Sequence, residues 1–392
     1  MHSKDSLDSA SLLQQRFATI SYFLKSMADG GFPIMLIDTG MIKCISKKSN
    51  CALEPVITGM ENVSLLFSMD ATYWSTFEQK MNTGFINVDD TQFTRDKFGV
   101  SGADIFLSGV RFQILRMESP NNTDYFIFSD KSSRIAMRRF NVKNMIARAT
   151  QGGKISFSIP ADPLLFLWRW QRGQFIECRQ DIAAKMRRDY PELYNVPPNI
   201  KDNYASNLAD YTQLLVKMRI TPMLTGGTLL GWYRECGFIT HTSDLDTAML
   251  IEEYSEKLVE TLKKNSRFKL IRILGIPDRL EFKIISLGRV IDLFIIYHNG
   301  TDGSDYTNGL DIDTRGKYIW RYPRLTKVCT GDLKGHLMFV PCNVEEMLTA
   351  CYGNRWDVPH LTWNYQWWSS GANVEYGGEY SEEEMLRAVK YL

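Results

Sequence analysis

The sequence predicts a mixed α+β protein, and three observations carry that prediction. Leu208, Tyr211, Leu215 and Met218 recur at helical spacing in the stretch 202–219. Leu280–Ser286 and Arg289–Tyr297 read as two strands of a hairpin closed at Leu287–Gly288. Helices and locally pairing strands mix without the strict strand–helix–strand alternation of a doubly wound sheet. The chain has 392 residues, enough for two domains. A strand-rich accessory or stem domain is expected over 1–150, and a second domain, where the informative motifs gather, over 151–392.

In chain order, Met1 to Arg16 holds Lys4, Asp5 and Asp8 and lacks the apolar centre of a signal peptide. Ile34–Ile37, Val110–Leu115 and Asp124–Phe128 read as strands of the first domain, the last two around an Asn121–Asn122 turn. From Lys131 to Lys154 there are seven basic residues and no acid, read as a solvated face, as a connection between domains, or as a phosphate- or membrane-facing patch. The boundary is expected near it. Pro222 ends the helix of 202–219, and Met223–Thr225 is a short strand. Gly226–Gly227 makes a turn, Thr228–Cys236 a helix stopped by Gly237, Asp244–Ile251 a strand and Glu252–Lys264 a helix.

Composition narrows the function classes. Hydrophobic residues at 44% and charged residues at 23% describe a soluble globular chain. Lys plus Arg is 46 against 45 for Asp plus Glu, so no basic excess recommends a nucleic acid as partner. The longest apolar runs, such as Phe32–Ile37 and Pro163–Trp168, are too short to cross a bilayer. Seven Cys without a C-x-x-C pair argue against zinc ribbons and are compatible either with up to three disulfides or with reduced buried thiols. Five His without H-x-x-x-H spacing make a catalytic zinc site a poor expectation.

The chemistry concentrates in Thr225-Gly-Gly-Thr-Leu-Leu-Gly-Trp-Tyr-Arg234 and in Ser243-Asp-Leu-Asp246. A strand, a Gly-Gly turn and a helix start gather backbone N–H groups at one point, and Gly226, Gly227 and Thr228 become candidates to cradle a phosphate. Period two places Asp244 and Asp246 on one strand face, with Leu245, Ala248 and Leu250 at buried positions. Asp292 lies inside the apolar run Val290–Ile296, where an ionised carboxylate needs a partner. Three such acids side by side repel by about 1 kcal/mol per pair in water and about 4 kcal/mol at an effective dielectric of 20. A divalent cation removes that penalty, and Mg²⁺ or Mn²⁺ suits carboxylate and phosphate oxygens. Asp244, Asp246 and Asp292 are therefore the expected metal ligands, with Asp292 also the expected base.

Arg234 is read either as a bidentate phosphate contact or as a structural ion pair. Lys283, Arg315, Arg321 and Arg324 are candidates to face an anionic substrate, Glu281 to point toward the acids, and His241 to support them. Tyr352, Trp356, Trp363, Trp367 and Trp368 pack as a lid or stack on a base or a sugar.

Gly-Gly, Asp-x-Asp and a later strand-borne Asp together resemble the nucleotidyltransferase superfamily. Sixteen residues between Gly227 and Asp244, with Arg234, Gly237-Phe-Ile239, Val340-Pro-Cys342 and Tyr352-Gly-x-x-Trp356-x-x-Pro359, resemble the fukutin-like subgroup of the LicD family, best over Ile159–Trp368. The resemblance implies a nucleotidyltransferase-like catalytic domain that moves an alcohol phosphate, ribitol 5-phosphate or similar, from a CDP-linked alcohol to a hydroxyl of a glycan or glycoprotein in O-glycan assembly. It also implies Golgi residence and other glycosyltransferases as possible neighbours, whereas the chain read by itself, with no leader or span, implies the cytoplasm. Many LicD sequences carry a further Asp where this chain has Thr242, so the third carboxylate must come from elsewhere, and Asp292 is the candidate. A nucleotidyltransferase using NTPs and an inactive glycan- or glycosyltransferase-binding scaffold are the competing readings.

Overall fold

The computed structural model describes residues 2–46, 63–96, 99–129, 133–148, 154–360 and 366–392. They form two compact units, 1–175 and 176–392. The architecture is α+β, 32% helix and 36% strand.

Unit 1 is built on a nine-stranded sheet. Its strands are β1 (Ile34–Leu36), β2 (Val63–Asp70), β3 (Asp90–Asp96), β4 (Gly99–Leu107), β5 (Val110–Glu118), β6 (Tyr125–Ser129), β7 (Arg134–Arg138), β8 (Val142–Arg148) and β9 (Lys154–Pro160). The order is β3-β4-β5-β2-β1-β9-β8, with β6 and β7 branching from β5. Alternation along β5 sends Val110, Phe112 and Ile114 into one face, where Phe23 of α1 (His2–Asp29) stacks on Phe112 at 3.9 Å. Residues 151–175, assigned from sequence to the second domain, lie in unit 1 because β9 pairs with β8 along its length and with β1 at Met35–Ser158. The basic stretch Lys131–Lys154 falls partly outside the described residues. Its described part includes β7 and β8, so it is sheet rather than a connection, and residues 141–144 and Ile146 are exposed as a solvated face would be.

Unit 2 holds an eleven-stranded sheet. Its strands are β10 (Met223–Leu224), β11 (Asp244–Leu250), β12 (Lys269–Leu274), β13 (Glu281–Ser286), β14 (Arg289–His298), β15 (Asp305–Leu310), β16 (Gly316–Tyr322), β17 (Val328–Leu333), β18 (His336–Pro341), β19 (Val374–Glu379) and β20 (Val389–Tyr391). The main order is β17-β18-β10-β11-β14-β13-β12-β20, and β15, β16 and β19 extend from β14. The expected hairpin is present: Leu287 and Gly288 both take positive φ, +48° and +74°, as a two-residue turn between right-twisted strands requires.

The expected long helix runs over Tyr204–Val216, and Tyr204, Leu208, Tyr211 and Leu215 bury against the sheet. Tyr204 donates its hydroxyl to the Ser286 carbonyl at 2.7 Å, which fixes the helix over the β13–β14 hairpin. Along β11, Leu245, Thr247 and Met249 face this helix-covered core and are at most 1% exposed. Along β14, Ile291, Leu293 and Ile295 do the same at 0%. Period two therefore forces Asp244, Asp246 and Asp292 to the opposite face. Among the intervening apolar positions of β11, Leu245 and Ala248 are buried and Leu250 is half-buried.

The helix expected at Thr228–Cys236 begins two residues earlier and changes pitch. Gly226–Leu230 is α-helical, Gly231–Glu235 is a π-turn, and Cys236 adopts a left-handed conformation at φ +52°. Gly231 permits this close approach, since a Cβ there would sit 2.9 Å from the Gly237 carbonyl. Disulfides join Cys178 to Cys236 and Cys329 to Cys342, while Cys351 is reduced and buried. No described helix is long and apolar enough to cross a membrane.

Candidate active site

The parallel pairing of β11 with β14 sets Asp246 directly beside Asp292. Thr247 ties the two strands further, donating its hydroxyl to the Asp292 carbonyl at 2.8 Å. One carboxylate oxygen from each of Asp244, Asp246 and Asp292 lies within 4.8 Å of the others. Asp244 is exposed, Asp246 half-buried and Asp292 buried, so the group slopes from solvent into the sheet.

The Gly-Gly turn holds Asp246 in place. The Gly227 N–H donates to Asp246 Oδ2 at 2.9 Å, and the Asp246 N–H donates to the Thr228 hydroxyl at 2.7 Å. Gly226 has φ +49°, and a Cβ there would meet Asp246 Oδ2 at 2.8 Å. Thr228, expected in a phosphate cradle, is buried behind the acid and spends its hydroxyl on the Asp246 backbone. Of the expected cradle only Gly227 lines the cavity described below.

Electrostatics follow from crowding and burial. Burial, then the charges of Asp244 and Asp292, push the Asp246 carboxyl well above the usual range, against the Gly227 N–H. Burial, then the Glu281 charge, push Asp292 up to about 7, with Lys283 pulling the other way. Lys283 Nζ lies 2.9 Å from both Asp292 Oδ1 and Glu281 Oε1. Burial opposes its charge, but the two carboxylates prevail and hold it protonated. The expectation that Glu281 points toward the acids is met through this lysine.

A cavity of about 700 Å³ opens over the acids. Besides the three Asp, its walls include Gly227, Arg234, His241, Glu281, Lys283, Tyr352, Trp356 and Trp367. Arg234 resolves as mainly an ion pair: it is 3% exposed, 2.6 Å from Glu235 Oε1, and donates to the Trp356 carbonyl at 3.2 Å. Arg315, Arg321 and Arg324 do not line the cavity, and their expected approach to the substrate is corrected. They pair instead with Glu379, Glu375 and Asp305, at 3.5, 2.8 and 3.6 Å. Trp363 lies outside the described residues, and Trp368 packs edge-on against Trp367 at 5.3 Å. Sequence reasoning missed Arg272, Asp311, Asp313, Trp320 and Tyr391, all on the cavity wall. They carry no motif, and only strand register and loop placement bring them there.

The donor set fits a hard divalent cation: oxygen ligands alone, crowded enough to repel, with Asp246 and Asp292 disfavoured as bare anions. Asp246 is oriented by the turn behind it and Asp292 by Lys283, leaving other oxygens of both free for an ion.

A mixed sheet that presents a Gly-Gly turn beside an Asp-x-Asp strand, with a third Asp on the neighbouring strand, defines a nucleotidyltransferase-type domain. Residues 219–343 match the profile of the LicD/FKTN/FKRP nucleotidyltransferase domain. Residues 19–177 match that of the W02B3.4-like N-terminal domain. Two uncharacterised proteins of Caenorhabditis elegans are similar along both units. T07A5.1 is 32% identical over 287 residues, 71% of this chain and 72% of the relative, and W02B3.4 is 30% identical over 304 residues, 72% and 71%. The ribitol-5-phosphate transferase FKTN of Mus musculus is 29% identical over 224 residues, covering 56% of this chain and 47% of that protein. The chain belongs to the LicD family, as a fukutin-like member.

Proposed function

We propose that this protein is a metal-dependent transferase that moves an alcohol phosphate, ribitol 5-phosphate or a close relative, from a CDP-linked alcohol to a glycan hydroxyl. The observation that carries the reading is the convergence of Asp244, Asp246 and Asp292 on the wall of a cavity of about 700 Å³ that aromatic residues also line. The similarity to a ribitol-5-phosphate transferase supplies the substrate class.

Asp244, Asp246 and Asp292 would hold Mg²⁺ or Mn²⁺, which would neutralise charge on the diphosphate and on the departing CMP. The Gly-Gly turn fixes Asp246, so its carboxylate needs no rearrangement during transfer. Lys283 keeps Asp292 oriented through Oδ1. Asp292 sits beside both the proposed ion and the cavity, where it would take the proton of the attacking hydroxyl. Tyr352, Trp356 and Trp367 offer ring faces for the cytosine or the sugar and exclude water from the reacting groups.

The two disulfides of unit 2 support residence in an oxidising compartment, consistent with a lumenal glycan acceptor.

The test is turnover of labelled CDP-ribitol and of labelled NTPs with Mg²⁺ or Mn²⁺. Consumption of CDP-ribitol is expected for the wild type, and Asp244→Asn or Asp246→Asn should lower it at least a thousandfold with the fold kept by circular dichroism. Consumption of an NTP in place of the CDP-alcohol would establish nucleotidyl transfer. Absence of any CDP- and metal-dependent thermal stabilisation at millimolar metal would leave a binding scaffold.

A further inference from the structure

The strand registers lay one row of side chains across the site face. Asp246 stands beside Asp292, Asp292 beside Lys283, Lys283 beside Arg272, and Arg272 beside Tyr391, over five strands from β11 to β20. All five line the same cavity.

Charge along this row is uneven. The acids occupy one end, and Lys283 is spent on Glu281 and Asp292. Arg272 is different. Its side chain makes no hydrogen bond or ion pair among the described residues, and its Nε is buried without an acceptor. Its guanidinium lies over the Tyr391 ring at 4.6 Å, which restrains the plane but satisfies no N–H. Asp311 and Asp313 share the cavity, and neither pairs with it. A guanidinium has five donors in a fixed fork, and a partly desolvated one left without an acceptor is costly. Such a group fits a planar or tetrahedral oxyanion delivered from outside the chain.

We propose that Arg272 is a substrate-binding residue that takes a phosphate group, two strands removed from Asp292, or about 10 Å along the sheet. The acids with their cation would meet one phosphate of the substrate, and Arg272 a second negative charge farther along the cavity. Tyr391 holds the fork ready, so less side-chain freedom is lost on binding. The choice of phosphate rests on the proposed CDP-alcohol chemistry, whereas the unpartnered cation stands on the geometry alone. Two sources bring this chemistry: the donor diphosphate and a phosphate carried by the acceptor glycan.

Isothermal titration of the full chain with CDP plus Mn²⁺, and with inorganic phosphate at saturating CDP and Mn²⁺, separates them. If the donor is the source, Arg272→Gln weakens CDP at least tenfold, and Arg272→Lys recovers part of the loss. If the acceptor is the source, Arg272→Gln leaves CDP unchanged and abolishes phosphate binding in the presence of CDP. The melting temperature should stay within about a degree of wild type, because the side chain anchors no neighbour by hydrogen bonds. The proposal is overturned if both ligands bind Arg272→Gln and Arg272→Lys as they bind the wild type, if the wild type binds neither, or if the variants lose affinity only in step with stability. Arg272-dependent phosphate binding without CDP-ribitol turnover would keep the subsite and remove the donor assignment. Normal CDP-ribitol turnover by a variant with unchanged affinities would do the reverse.

Discussion

Asp292 makes the stability of the folded chain depend on pH. Its carboxyl is raised from 3.8 to about 7, so between those values the folded chain holds a proton that the unfolded chain has released. The stability of the ion-free protein therefore falls as pH rises through that window, and this contribution is fully present only below it. A divalent ion must displace the same proton, so its affinity runs the opposite way. Mn²⁺ binding followed by calorimetry should weaken about tenfold per pH unit below 7 for one released proton, and Asp292→Asn should bind weakly at every pH. An affinity independent of pH between 5.5 and 8 would contradict the coupling. At this scale the sequence was informative where periodicity speaks: spacing of two placed Asp244 and Asp246 on one face, and an acid inside Val290–Ile296 marked Asp292. It was silent on Arg272, whose meaning comes from four strand registers that no local pattern encodes. Arg234 was ambiguous for a related reason, because the choice between substrate and ion pair depends on the burial of Glu235 beside it.

Among elements, the connection from the glycine turn to β11 deserves its length. The π-turn Gly231–Glu235 swings Trp232 into the core at 0% exposure, where its indole N–H donates to the Asp332 carbonyl at 2.7 Å. Gly331 on β17 makes room, since a Cβ there would lie 2.1 Å from Trp232 Cζ2. Gly331→Ala should therefore destabilise the protein by about 1–3 kcal/mol, the usual cost of overpacking. Thermal unfolding measures it, and an unchanged melting temperature would mean that Trp232 has another place to go. The β13–β14 hairpin was legible because Leu287–Gly288 sits between two apolar runs. The change from α to π pitch was not legible, because it arises from tertiary demands: Trp232 must reach the core, and Cys236 must meet Cys178.

For the whole molecule, each unit has its own sheet and its own apolar clusters. Among the described residues, the apolar clusters of unit 2 are built from residues after 175 and those of unit 1 from residues before 176. A chain of residues 176–392 is accordingly expected to fold alone and to bind CDP with Mn²⁺. Circular dichroism and calorimetry check this, and an unfolded fragment would show that the separation of cores does not extend to stability. Length allows two domains, but the division into compact units at 175 is not legible in the sequence, because β9 follows a basic stretch that looks like a linker yet completes a sheet begun over a hundred residues earlier. The pairing of β11 with β14 has a kinetic consequence of its own. These neighbours are separated along the chain by helix 256–264, β12 and β13, so a refolding molecule must close that loop before Asp292 can reach Asp246. If the proposed cation binds these acids, its capture would be a late event, and it would slow unfolding rather than start folding.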